Sequence, residues 1–135
     1  MSESLVQVRQ IDHVTFVVKD VEASRRFYVG VLGMSEVARP AFSFGGAWFR
    51  AGATLVHLIE EHDKSGPAGF PVKVLERSTR NHHIAFTVAD AREAARLLKA
   101  AGYPLLDDAK LRPDGAVQVF VLDPDYHVIE LCSGP

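Results

Sequence analysis

The stretch "NHHIAFTVAD", Asn81 to Asp90, decides the fold because it repeats an earlier stretch of the same chain, "IDHVTFVVKD", Ile11 to Asp20. The two stretches align when the second is moved back by 70 residues, and this places His83 on His13. An internal repeat fixes the architecture and identifies equivalent positions at the same time. The alignment therefore predicts a fold that is built from two similar units.

Both copies of the repeat read as β-strands with one buried face. Side chains alternate between the two faces of a strand, so His83 shares a face with Ala85 and Thr87. His82 lies on the opposite face, and Asp12 stands at its position in the first copy. We therefore interpret His83 as the equivalent of His13 and His82 as a structural residue at the start of the strand.

The same order of elements follows each of these strands. An amphipathic helix is predicted after Asp20, ending at Gly33, and an alanine-rich helix after Asp90, ending at Gly102. Three further strands are predicted in each half: 35–39, 45–50 and 54–60, then 105–111, 116–122 and 127–132. The chain thus predicts an α+β fold of tandem βαβββ units, about 10–60 and 81–133, joined by a loop over 62–80. Residues 1–135 are expected to form a single domain.

Composition excludes several classes of protein. The chain has 135 residues, of which 47% are hydrophobic and 24% charged, and its formal charge is −2. It contains no block of like charge, which argues against a nucleic-acid or membrane partner. One cysteine allows no internal disulfide, and the first residues lack the apolar core of a signal peptide. A cytoplasmic location is therefore expected.

Four polar side chains stand at equivalent places in otherwise apolar strands. The last strands of the two units align with a shift of 73 residues, so that His57 coincides with Glu130. With His13 and His83, these residues form two equivalent pairs. A buried carboxylate or imidazole needs a polar partner or a metal ion. Imidazole and carboxylate ligands without thiolates suit a divalent Zn, Ni, Co, Mn or Fe ion in an open site.

The doubled βαβββ pattern, with "NHHIAFTV" and "DPDYHVIEL", resembles the vicinal oxygen chelate superfamily of glyoxalase I, bleomycin-resistance proteins and extradiol dioxygenases. The resemblance is strongest to single-domain glyoxalase I-like proteins and covers nearly the whole chain. It implies that curved mixed sheets enclose a divalent metal ion held by His13, His57, His83 and Glu130. The family's glyoxalase I enzymes carry glutamate where this chain has His57, and the family usually has glycine at Tyr126.

The resemblance implies a metal-dependent lyase or isomerase of glyoxalase I type, with Glu130 as both metal ligand and catalytic base. Its substrate would be a small α-oxo or α-hydroxy carbonyl compound, including thiol adducts. Two alternative enzyme classes are an extradiol-type dioxygenase and a thiol transferase or hydrolase of the fosfomycin-resistance type. A further alternative is a binding protein without turnover that sequesters a small molecule.

The substrate pocket is expected over the metal, with candidate contacts at Phe42, Phe44, Trp48 and Arg50. The resemblance also implies a homodimer in which the first unit of one chain faces the second unit of the other. His13 and His57 would then meet His83 and Glu130 across the interface, so that metal sites are shared between chains.

Overall fold

The computed structural model describes residues 4–69 and 79–135. The first unit begins with β1 (His13–Val18) and a short helix α1 (Val21–Arg25), which continues as a π-helical segment (Arg26–Val31). The strands β2 (Ser35–Val37), β3 (Gly46–Ala51) and β4 (Thr54–Glu60) follow. The second unit contains β5 (Ile84–Thr87), α2 (Ala91–Ala100), β6 (Leu105–Leu111), β7 (Val117–Leu122) and β8 (Val128–Ser133). Within the predicted loop over 62–80, residues 70–78 lie outside the described residues.

Each unit forms one four-stranded mixed sheet, and the two sheets have the same topology. Their strand orders are β1-β4-β3-β2 and β5-β8-β7-β6. In both, the first strand pairs in parallel with the last, and the other pairs are antiparallel. The register also repeats, because Thr15 lies opposite His57 and Ala85 lies opposite Glu130. These observations confirm the predicted α+β fold of tandem βαβββ units.

The burial of the strands follows the predicted alternation. In β1, Val18 is buried, whereas His13 and Thr15 are exposed on the other face. In β5, Ile84 is half-buried and Ala85 is exposed. The apolar faces of both sheets pack with the helices into one hydrophobic core that includes Tyr28, Phe49 and Ile129 among its buried members. The polar side chains of β1 and β5 consequently lie outside this core.

The first helix departs from the regular α-helix that the sequence predicts over Asp20 to Gly33. It begins as expected, because the Asp20 carboxylate accepts hydrogen bonds from two backbone amides of the first turn. After Arg25 the turns widen into a π-helix, in which Leu32 N–H donates to the Phe27 carbonyl at 2.9 Å. The wider segment carries Phe27 and Tyr28, adjacent aromatic residues that are both buried. Helical periodicity alone does not predict this change.

A buried polar network joins the two units. The Tyr28 hydroxyl donates to Asp123 Oδ2 at 2.6 Å, and His127 Nδ1 lies 2.7 Å from the same oxygen. The His127 ring stacks on Phe16 of β1, with 4.6 Å between the ring centroids. Burial, and then the negative charge of Asp123, raise the pKa of Tyr28. The turn that carries Asp123 and His127 is thereby fixed against the first unit.

Candidate metal centre

The first unit places two imidazoles face to face on the exposed side of its sheet. The rings of His13 and His57 are stacked with their centroids 3.9 Å apart. The indole of Trp48 lies flat on His57, also at 3.9 Å and with an angle of 1° between the planes. This arrangement follows from the register, because Trp48 is the cross-strand neighbour of His57. His57 therefore lies between an imidazole and an indole.

The ring nitrogen Nε2 of His57 is buried and has no hydrogen-bond partner in the described part of the chain. An unsatisfied buried nitrogen costs free energy, about 1–3 kcal/mol. Burial, and then the neighbouring His13, lower the pKa of His57, which favours the neutral imidazole. A neutral imidazole with an unused nitrogen lone pair is the form that binds a metal ion.

His13 is oriented by the residue that precedes it. Its Nδ1 lies 2.8 Å from Asp12 Oδ2. The carboxylate can only accept, so Nδ1 carries the hydrogen, and in the neutral imidazole Nε2 then has the lone pair. Metal-binding histidines commonly have such a carboxylate behind the ring, where it fixes the tautomer. Asp12 was not among the predicted site residues, although its place directly before His13 was a signal for this contact.

The second unit pairs an imidazole with a buried carboxylate. His83 Nε2 lies 3.1 Å from Glu130 Oε1, and His83 Nδ1 lies 2.8 Å from the carbonyl oxygen of Asn81. If Nδ1–H donates to that carbonyl, the neutral ring presents a lone pair to Glu130. Two acceptors at this distance call for a proton or a metal cation between them. Glu130 is buried, with 5% of its surface exposed.

Arg112 is a further member of the second pair that the sequence did not predict. Its Nη1 donates to Glu130 Oε2 at 3.2 Å, while Nε and Nη2 donate to Asp114. This pairing lowers the pKa of Asp114 to about 2. A cavity of about 460 Å³ adjoins the group and is lined by His83, Arg112 and Glu130, among others. Arg112 precedes Glu130 by 18 residues and lies beyond the end of β6, so no local spacing pointed to it.

The structure brings the predicted ligands together in pairs and not as one set of four. Among residues 4–69 and 79–135, no group of three or more His, Cys, Asp or Glu side chains could hold a metal ion within the single chain. His82, beside His83, is exposed and has its backbone N–H bonded to Asn81 Oδ1. The four-ligand site therefore stays a prediction.

The four residues predicted to contact the substrate lie in two separate places. Phe42, Phe44 and Trp48 form a cluster, with centroid distances of 5.2 Å between the phenylalanines and 6.2 Å from Phe42 to Trp48. The Arg39 guanidinium lies 4.8 Å from the Phe42 ring centre. Arg50 lines a different cavity, between the two units. The cluster therefore adjoins the His13–His57 pair through Trp48, whereas Arg50 lies apart from it.

Helices long and apolar enough to span a membrane are absent from the described residues.

Comparisons with known proteins agree with the fold and the repeat. A curated relative, glyoxylase I 4 of Arabidopsis thaliana, is 27% identical over 132 residues, which cover 95% of this chain and 72% of that protein. A glyoxalase-family protein from Bacillus anthracis has 28% identity and a TM-score of 0.76, covering 98% of this chain and all of the other. A glyoxalase/dioxygenase from Nostoc punctiforme has 27% identity and a TM-score of 0.75, with 99% of each chain covered.

A lactoylglutathione lyase from Agrobacterium tumefaciens shares the fold at 19% identity, with a TM-score of 0.67 and 93% of each chain covered. The family pattern itself matches residues 10–131, which include both units and all four predicted ligands. The chain therefore belongs to the Glyoxalase/Bleomycin resistance protein/Dioxygenase superfamily.

Proposed function

We propose that the protein is a metal-dependent lyase or isomerase of glyoxalase I type that acts as a homodimer. Its substrate class is a small α-oxo or α-hydroxy carbonyl compound, presented as a thiol adduct. The observation that carries this proposal is the buried Nε2 of His57, which lies on the same exposed sheet face as His13 and has no hydrogen-bond partner among the residues that the structure describes. The name of the Arabidopsis relative, glyoxylase I 4, supports the reaction class.

Each metal ion would be held by His13 and His57 of one copy together with His83 and Glu130 of a second copy. The two pairs of side chains support this arrangement, since the His13 ring stacks on His57 in one sheet and His83 contacts Glu130 in the other. Three imidazoles and a carboxylate suit a divalent first-row ion. When bound, the ion would polarise the substrate carbonyl and stabilise negative charge on its oxygen.

Glu130 is the residue that would move the proton. The Glu130 carboxylate would take a proton from the carbon next to the carbonyl. It would then return that proton to the former carbonyl carbon. Because Oε2 accepts a hydrogen bond from Arg112, Oε1 is the oxygen left to face the site and His83. Asp12 would hold His13 in the tautomer with an unprotonated Nε2.

The aromatic cluster Phe42, Phe44 and Trp48 would line the pocket beside His57 and exclude water from the substrate. Arg50, which lines the cavity between the units, would contact a more distant part of the substrate. The aromatic cluster would favour substrates with apolar substituents, because it would bury them. The metal would contact the substrate oxygens that take part in the reaction.

The test measures metal content and activity of the same preparations. Purification without chelators should yield about one divalent ion per chain by elemental analysis, and His57→Ala should lower this content. The protein reconstituted with each metal in turn should then isomerise the hemithioacetal of methylglyoxal and a small thiol. A protein without metal after reconstitution would refute the proposal, and metal without turnover would reduce it to a binding function.

A further inference from the structure

The loop between β2 and β3 carries a half-buried arginine, Arg39. Among the described residues, Arg25, Arg39 and Arg112 are the half-buried arginines, and the others are exposed. Arg25 and Arg112 each form ion pairs with two carboxylates. Arg39 pairs with no carboxylate in the described part of the chain, where its Nη2 donates to the Phe44 carbonyl at 2.8 Å. The described residues therefore leave Arg39 as a half-buried cation without a balancing charge, which is a costly arrangement.

Two phenylalanines of the same loop hold the guanidinium of Arg39. Its Cζ atom lies 4.8 Å from the ring centroid of Phe42 and 5.2 Å from that of Phe44. Such contacts between a cation and an aromatic ring are attractive. Gly46 leaves the space beside the group open, since a Cβ atom there would lie 3.1 Å from both Nε and Nη2. The guanidinium is therefore held in place before a ligand binds, which lowers the entropic cost of binding.

One end of the guanidinium remains available to a ligand. Nε is buried without a hydrogen-bond partner among the described residues, whereas Nη1, which has no partner there either, is not buried. Nη1 carries two hydrogens, and Nη2 carries a second one besides that donated to Phe44. A planar carboxylate accepts two parallel hydrogen bonds from one arginine. The end formed by Nη1 and Nη2 therefore suits an anion that arrives from solvent.

Arg39 lies on the same side of the first sheet as the candidate metal centre. Val37 is the cross-strand neighbour of Trp48, and Trp48 is that of His57, so these three side chains share a face. Arg39 follows Val37 by two residues, which places it on this face as well. The Phe42 ring, which contacts the guanidinium, lies 6.2 Å from the ring of Trp48. A chain of aromatic contacts therefore connects Arg39 with His57.

We propose that Arg39 is a specificity-determining residue that binds a carboxylate group of the substrate. The carboxylate would accept hydrogen bonds from Nη1 and Nη2 and would balance the charge of the guanidinium. Because the chain of contacts from Arg39 to His57 passes through Phe42 and Trp48, this carboxylate belongs to a part of the substrate remote from the reacting carbonyl. In a thiol adduct, that part is the thiol. The inference rests on the proposed function and specifies its thiol as one that carries a carboxylate.

A carboxylate fits this position better than a phosphate does. One guanidinium balances a single negative charge, whereas a phosphate monoester carries about two at neutral pH. Residues 38–45 contain no cationic side chain besides Arg39, so the loop offers no second charge. Phe42 and Phe44 also present apolar surface, against which the methylene groups of a short thiol would pack. The chemistry of the loop therefore favours a small monoanion.

The test compares two thiols of the same shape, β-mercaptopropionate and β-mercaptopropionamide, as hemithioacetals of methylglyoxal. The amide keeps the shape of the carboxylate but has no charge. The values of kcat and KM are measured for the metal-loaded wild type, Arg39→Gln and Arg39→Lys. Arg92→Gln is the matched control, because Arg92 is an exposed arginine on α2, outside the first sheet. Circular dichroism verifies the fold of each variant.

We expect the wild type to favour the carboxylate adduct by about 10–100-fold in kcat/KM, the range for a hydrogen bond to a charged group. Arg39→Gln should remove this preference by raising KM for the carboxylate adduct alone. Its kcat should not change, because the contact binds the ground state and the transition state equally. Arg39→Lys should retain part of the preference, since lysine keeps the charge but not the paired hydrogen bonds. Arg92→Gln should resemble the wild type.

Two results would overturn the inference. Equal losses for both adducts in Arg39→Gln would assign Arg39 a structural role in the loop. A wild type that converts both adducts equally well would show that no carboxylate is recognised, while the proposed reaction would stand.

Binding of the two free thiols, measured by NMR titration of the same proteins, gives the comparison without turnover. Tighter binding of the carboxylate thiol that depends on Arg39, in a protein that converts neither adduct, would refute the proposed reaction and support the inference. Equal binding of both thiols in such a protein would refute the reaction and the inference together.

Discussion

The two units share a fold and a register but differ in the partners of the polar residue in their last strand. In the second unit, Glu130 is paired with His83 on one oxygen and with Arg112 on the other, so its charge is balanced within the chain. In the first unit, His57 is the equivalent residue, and its buried Nε2 has no hydrogen-bond partner among residues 4–69 and 79–135. The comparison teaches that the carboxylate of the second unit has a charged partner within its own unit, whereas the first unit keeps a buried imidazole nitrogen with an unused lone pair.

The largest expected effect is a loss of metal affinity when His83 of the second unit is replaced. His83→Ala should lower the metal affinity by more than the 10–100-fold that outer contacts contribute, because a direct ligand is lost. The neighbouring His82→Ala is the matched control and should leave the affinity unchanged. Competition with a coloured chelator at constant pH measures both. Equal losses in the two variants would break the proposed equivalence of His83 and His13.

A substitution that makes the units alike would sharpen the comparison. His57→Glu places a second carboxylate in the site, where the family's glyoxalase I enzymes have one. We expect turnover of a hemithioacetal to rise by about 100-fold, which is the lower range for an added general base. His57→Gln is the control, because glutamine has the size of glutamate and can form hydrogen bonds but is not a base. A similar rate in both variants would mean that Glu130 is already a sufficient base.

The hydrogen bond between Tyr28 of the first unit and Asp123 of the second is expected to stabilise the folded protein. Tyr28→Phe removes the donor to the buried Asp123 carboxylate and should lower the free energy of unfolding by about 1–3 kcal/mol. Tyr103→Phe is the control, since the Tyr103 ring packs edge-on against Phe27. Urea denaturation of both variants measures the difference. A loss as large in the control would assign the effect to the removal of a tyrosine hydroxyl in general and not to the hydrogen bond with Asp123.

The same tyrosine predicts the response to alkaline pH. Its pKa is raised in the folded protein, mainly by burial, so folding favours the protonated phenol. This contribution is complete below pH 10, the usual pKa of tyrosine, and is lost as the pH rises toward the folded-state value. The melting temperature of the wild type should therefore fall more steeply above pH 10 than that of Tyr28→Phe. Parallel curves would contradict the assignment.

The smallest expected effects concern the two helix caps. Asp20 and Asp90 each accept hydrogen bonds from two backbone amides at the start of their helices. Replacement of either by alanine should cost about 1 kcal/mol of unfolding free energy. The exposed Asp63→Ala serves as the control. A negligible cost at Asp20 alone would show that the π-helical segment, rather than the cap, holds the first helix in place.

The sequence predicted the repeat, the topology and the pairs of polar residues, because these depend on periodicity and on equivalent positions. It did not predict the π-helical turns, since the burial of both Phe27 and Tyr28 depends on contacts across the core. It missed Arg112 for a similar reason: the side chain reaches Glu130 only because β6 and β7 turn back beside β8. The predicted set of four ligands came from equivalent positions and from the family resemblance, and neither predicts the contacts that each ligand makes.

The stack of Trp48 on His57 gives the protein a built-in optical probe. Trp48 is the single tryptophan of the chain, so its indole emission would originate entirely at the candidate metal centre. A paramagnetic ion bound to His57 would quench that emission through the touching rings. The occupancy of the site, and its exchange between different ions, could then be followed in real time in unlabelled protein.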